Sequence, residues 1–144
     1  MSDEWEWVQL RPGAKWPQGS AGRALLRRLD KVGRHLRRPI TITSGKRNAQ
    51  EQWFAYMDYL QGGTLAAPCC TKNYTHKWSE CRRECASNHC RSRAADCVVT
   101  MADGRTFNIG EIHRARQKMK AVGLCLPVGA GETWHVEVGN TWRS

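Results

Sequence analysis

Apolar residues recur at helical spacing over residues 21–37. Leu25, Leu29, Val32 and Leu36 fall on one face, and Arg27, Arg28, Lys31, Arg34 and Arg38 occupy the rest. The pattern predicts an amphipathic helix that Pro39 stops. Ile40-Thr41-Ile42-Thr43 then alternates as a strand does, and Ser44-Gly45 turns the chain. Asn48 followed by Glu51 has the form of a helix cap box. It predicts a second helix to Leu60, with Trp53, Met57 and Leu60 inward and Gly62-Gly63 as its end. Residues 64–92 show no period and read as a long loop, and 94–100 read as a strand. Asn108 with Glu111 repeats the cap signature for a third helix, with Ile112, Ala115, Met119 and Val122 inward and Gly123 as its stop. Short strands are expected over 125–128 and 133–138. Residues 1–19, broken by Pro12, Gly13 and Pro17, read as an irregular lead-in.

Helices and strands mix here without a regular strand–helix repeat. The expected class is α+β: a small, mostly antiparallel sheet with flanking helices, in one domain spanning 1–144. The chain is 40% hydrophobic with seven tryptophans, which is the composition of a folded protein.

Charge narrows the partners. Lys and Arg number 23 against 13 Asp and Glu, for a net +10. Such an excess draws a protein toward nucleic acid, anionic lipid or an anionic cell-wall polymer. The stretch Met1-Ser2-Asp3-Glu4-Trp5-Glu6-Trp7 is acidic and has no apolar run. The reading is therefore a protein made in the cytoplasm without a signal peptide and without membrane insertion.

Candidate chemistry lies in two segments. On the strand over 94–100, Ala94, Asp96 and Val98 share a face, and Asp96 is its only polar member. A carboxylate on such a face needs a partner, and a metal is one good partner. His89 lies seven residues back, across a turn. On the last strand His135 and Glu137 share one face, while Trp134, Val136 and Val138 share the other, toward the core. Glu132 must lie in the preceding turn, to which Gly129-Ala130-Gly131 lends freedom. Two histidines, an aspartate and a nearby glutamate are the parts of a catalytic zinc site with an open coordination position.

These residues resemble the zinc D-Ala-D-Ala carboxypeptidases and related phage endolysin peptidases. Those proteins share a fold with lysostaphin-type peptidases and the hedgehog signalling domain. Ser87, His89, Ala94 and Asp96 match the pattern S-x-H-x-x-G-x-A-x-D; Glu132, Trp134 and His135 match E-x-x-H with its preceding tryptophan. Upstream, Thr43-Ser44-Gly45-Lys46-Arg47, then Gln50 or Gln52, resembles the family's S-G-x-R segment. Leu65-Ala66-Ala67-Pro68 resembles its approach to the first histidine. The likeness runs from Ile40 to Val138. It implies zinc held by His89, Asp96 and His135, with Glu132 as general base and then acid. It also implies that Arg47 binds a substrate carbonyl or carboxylate, with Ser87 beside the substrate. The pattern's glycine is Ser92 here, so the backbone at that point must avoid conformations that favour glycine or accept strain. Cys90 directly follows His89.

Residues 69–86 depart from the family as a Cys-rich insertion. Cys69, Cys70, Cys81 and Cys85 lie in it, with Cys90 close behind. Some of these, with His76, suit a second, structural zinc; one or two disulfides formed after release fit nearly as well, and free thiols fit least. Cys97 and Cys125, on expected strands, read as buried apolar residues. Lys72, Lys77, Arg82, Arg83, Arg91 and Arg93 would flank the cleft and steer an anionic substrate.

Taken together, these features describe a monomeric zinc peptidase acting on peptidoglycan stem peptides, as a D,D-carboxypeptidase or an endopeptidase. A phage-type lysis enzyme, reaching the wall after release from the cytoplasm, fits the charge and size. The alternative is a non-catalytic basic zinc module that binds nucleic acid. That partner is less favoured, because a binding module has no need of Glu132 beside an open metal position.

Overall fold

A computed structural model describes residues 4–45, 61–62 and 92–142. The expected second helix over 48–60 and the Cys-rich insertion lie outside these residues. Within them the fold is α+β. In chain order it runs β1 (Val8–Leu10), α1 (Gly19–Leu36), β2 (Ile40–Ser44), β3 (Ala94–Thr100), β4 (Thr106–Asn108), α2 (His113–Val122), β5 (Leu124–Cys125) and β6 (His135–Val138). One sheet takes the order β1-β2-β3-β6-β5, and β4 also pairs with β3.

The sheet is mixed, which corrects the expected mostly antiparallel arrangement. β1 pairs with β2 in parallel, Val8 opposite Ile40 and Leu10 opposite Ile42, while the other pairs are antiparallel. Parallel neighbours need a long crossover, and α1 supplies it. Residues 1–19, expected to be irregular, thus contribute an edge strand. β4 was also not anticipated. It returns from β3 through a tight turn in which the Gly104 N–H donates to the Met101 carbonyl at 2.9 Å.

Helix α1 follows its sequence pattern. Leu25, Leu26, Leu29 and Val32 are buried, and the chain leaves the helix through Arg37 in the left-handed region, just before Pro39. The expected third helix starts later than its cap signature. The Asn108 N–H does donate to Glu111 at 3.0 Å, but the pair closes a 3-10 turn over Ile109–Glu111, and α2 begins at His113. Gly123, with φ 82°, ends α2 as expected.

The two helices lie side by side and antiparallel over one face of the sheet. The Arg28 guanidinium donates to the Val122 carbonyl at 3.0 Å, and that of Arg114 to the His35 carbonyl at 3.3 Å. Beneath them Leu25, Leu29, Val32, Ala115 and Met119 pack on Ile40, Ile42, Ala95, Cys97, Val99 and Val136. Strand alternation leaves Asp96, His135 and Glu137 on the opposite face. Val138, expected toward the core, is instead 39% exposed, because β6 ends at the sheet margin opposite Leu124. Among the described residues no helix is long and apolar enough to cross a membrane.

Candidate metal centre

Pairing of β3 with β6 sets Asp96 directly opposite His135, with Ala95 opposite Val136 on the core side. The Cys97 N–H donates to the Trp134 carbonyl at 2.8 Å and locks that register. His135 Nδ1 lies 3.3 Å from Asp96 Oδ1 and 3.9 Å from Glu132 Oε1. On the far side of the ring, Nε2–H donates to Glu137 Oε2 at 2.7 Å. The side chains of Asp96, His135 and Glu132 are only 12%, 12% and 10% exposed. Two elements from distant parts of the chain therefore bring together three of the four residues expected to act on the metal. The fourth, His89, lies outside the described residues, as do Arg47, Ser87, Cys69, Cys70, His76, Cys81, Cys85 and Cys90.

Asp96 and His135 offer a carboxylate oxygen and an imidazole nitrogen, two of the donor types that zinc takes. Two donors each about 2.0–2.1 Å from a tetrahedral ion stand about 3.3 Å apart. The Nδ1–Oδ1 separation of 3.3 Å is compatible with that spacing and with a direct contact between the two side chains. When the ring is neutral, the Glu137 carboxylate favours the proton on Nε2 and so leaves the Nδ1 lone pair on the Asp96 side. Among the described residues alone, no three His, Cys, Asp or Glu side chains could hold a metal ion. The expected ligand set includes His89.

Glu132 sits in the turn, as the sequence required. Gly129–Gly131 forms a 3-10 turn, the Glu132 N–H donates to the Gly129 carbonyl at 3.1 Å, and the His135 N–H donates to the Glu132 carbonyl at 3.2 Å. A clamp not anticipated from sequence holds this turn. The Gly110 N–H donates to the Thr133 carbonyl at 2.8 Å, and the Asn108 amide donates to Thr133 Oγ1 at 3.1 Å. Glu137 shares the strand face of His135, as its two-residue spacing implies, and that spacing is the sequence signal for its hydrogen bond to the imidazole.

The strand end that precedes Arg47 also reaches this site. A bulge between Ile42 and Ser44 shifts the register so that Ser44 pairs with Asp96. The Thr43 hydroxyl donates to the Asp96 carbonyl at 3.3 Å. Gly45 is packed so closely on the segment before α1 that a Cβ there would overlap the Lys15 carbonyl oxygen.

Ser92 accepts the strain foreseen for it. Its φ is 58°, in the left-handed region, and it is buried. Its Oγ accepts the N–H of Gln18, the residue before α1, at 2.9 Å. Strain and hydrogen bond oppose each other, so Ser92→Gly should be nearly neutral. Ser92→Ala, which keeps the strain and loses the acceptor, should cost about 1–3 kcal/mol in urea unfolding.

Burial alone would depress the His135 pKa, but the facing carboxylates of Asp96 and Glu137 overcome it and raise it to about 9. In protein stripped with a chelator, this pair stabilises the fold fully below the unfolded-state value of about 6.5. The contribution is lost as pH rises toward about 9. Melting of chelator-treated protein should therefore show a loss of up to roughly 3 kcal/mol across that window, absent from His135→Gln. Zinc requires the neutral ring, so its affinity should rise over the same range.

The neighbouring thiols are structural. Cys97 and Cys125 are free and buried, as expected from the sequence. Burial pushes the Cys97 thiol well above its usual pKa, with the Asp96 charge adding to the effect, so it is not a thiolate competing for metal at neutral pH.

The chain matches no known family model and no curated protein.

Proposed function

We propose that this protein is a zinc-dependent peptidase hydrolysing peptidoglycan stem peptides, as a D,D-carboxypeptidase or an endolysin-type endopeptidase. The observation that carries the reading is the in-register pairing of Asp96 with His135, with the Glu132 carboxylate 3.9 Å from the same imidazole nitrogen. Ser92 adds support: it takes a glycine-like conformation where the resembled pattern has glycine.

Asp96 and His135, with His89, would hold the ion. Zinc, when bound, polarises a peptide carbonyl and makes water acidic enough to deprotonate near neutral pH. Glu132 then accepts a proton on its carboxylate and later delivers it to the leaving amine. Its position in a hydrogen-bonded turn keeps that carboxylate aimed at the site without the help of a neighbouring strand. Glu137 holds the imidazole against rotation. Low exposure excludes bulk water and strengthens each electrostatic contact. Arg47, on the segment following Ser44-Gly45, would receive the substrate carbonyl or terminal carboxylate.

Digestion of purified peptidoglycan tests the reading. Mass spectrometry should find release of single D-alanine for a carboxypeptidase, or separated stem peptides for an endopeptidase. Chelation should stop the reaction and added zinc restore it. Intact peptidoglycan in the zinc-loaded protein's digest would reject the proposal and favour the non-catalytic zinc module.

A further inference from the structure

We propose that the outer surface of the α1–α2 layer docks a base-free phosphodiester polymer of the bacterial cell surface, a poly(alditol phosphate), and so tethers the enzyme to its substrate. The proposal rests on the peptidase reading above for its choice of polymer, but the surface itself is independent of the catalytic face. Arg23, Arg27, Lys31 and Arg34 are exposed along α1, and Arg37 follows its last turn. An i, i+4 row places a cation about every 6 Å. Antiparallel to it, α2 exposes His113, Arg114, Arg116 and Lys120 and contains no acidic residue.

Acids do little to neutralise this layer. Glu4 and Glu6 approach it only at the β1 side, on Arg23 and Arg34, and Asp30 lies 4.0 Å from Arg34. Among the described residues no carboxylate pairs with Arg27, Lys31, Arg116 or Lys120. Arginine forks and a regular cationic row suit a chain of phosphates, and many such contacts together outweigh their small individual value.

The surface argues against a membrane and against single-stranded nucleic acid. A membrane-surface helix needs a free apolar face, and both helices spend theirs on the core. Single-stranded nucleic acid is held by stacking on aromatic faces. The rings at this surface already carry cations: Arg23 lies over Trp5, and Arg116 and Lys120 over Trp142. A phosphate polymer without bases needs no such platform. Because the layer lies on the sheet face opposite Asp96 and His135, a bound polymer leaves the cleft open.

The test uses the full zinc-loaded chain and soluble poly(glycerol phosphate), with binding measured by calorimetry at 50 and 200 mM salt. The triple variant Arg27→Gln/Lys31→Gln/Lys120→Gln should bind at least tenfold more weakly at the lower salt. Its log–log salt slope should be shallower by about 2, from three lost contacts. Cleavage of a short soluble stem peptide should be unchanged, which reads the peptidase activity separately and confirms an intact fold. The proposal is overturned if wild-type protein does not bind the polymer or if the triple variant binds it equally well. It is also overturned if wild-type protein binds a single-stranded or duplex oligonucleotide of matched charge more tightly.

Discussion

Glu132→Gln should lower peptidoglycan cleavage by about 10²–10⁴-fold while zinc content stays at the wild-type level. The amide keeps the size and hydrogen-bonded turn of the glutamate but cannot accept a proton. The backbone bonds that set the turn, Glu132 N–H to Gly129 and His135 N–H to Glu132, involve no side-chain atom and survive the change. His135→Ala provides the contrast, since it removes an expected ligand and should lose zinc and cleavage together. Metal analysis and fragment mass spectrometry on both variants separate the two roles. Cleavage by Glu132→Gln at the wild-type rate would remove Glu132 from the mechanism.

A comparable loss is expected from a residue that touches neither metal nor substrate. A Cβ at Gly110 would lie 2.5 Å from the Thr133 carbonyl oxygen and 2.7 Å from Leu126 Cδ1. Backbone cannot yield as a side-chain tip can, so the segment 132–134 must move. The Gly110 N–H bond to that same carbonyl would be strained or broken. Overpacking of this kind costs about 1–3 kcal/mol, and a shift of about 1 Å in a positioned group can cost about 10²-fold in rate. Gly110→Ala should therefore lower both the unfolding midpoint and the turnover number. Zinc content should fall much less, because Asp96 and His135 are held by the strand register rather than by this turn. A Gly110→Ala enzyme with unaltered turnover would show that the clamp on Thr133 does not position Glu132.

Local patterns were readable where one physical rule dominated. The helical stripe of Leu25, Leu29 and Val32 delivered α1, because burying that face is the largest favourable term available to the segment. Gly123 was readable as a helix stop for steric reasons, whereas Ser44, expected in a turn, is the last residue of β2 and pairs with Asp96. Asp96 and His135 were readable as residues in need of partners, because polar groups on otherwise small or apolar strands need them, and the structure sets the two opposite each other.

Other features misled or stayed silent. Val8-Gln9-Leu10 alternates as a strand does, yet it is short and the breakers after it suggested irregular chain. What makes Val8–Leu10 a strand is its partner β2, some thirty residues on. The Asn108–Glu111 cap signature does not by itself distinguish the start of the third helix from a 3-10 turn, since the same local bond closes either.

By itself the sequence determined which segments bury an apolar face, where the chain turns, the strong positive charge, and which few polar side chains stand on strands. These properties depend on neighbours within a few residues. Only the tertiary structure decided the mixed sheet, the placing of Asp96 opposite His135, the hold of Glu137 on the imidazole, and the clamp from Asn108 and Gly110 on the Glu132 turn. Each of those joins residues distant in the chain or depends on register. A shift of one residue in β6 against β3 would turn His135 to the helices and leave every local pattern unchanged.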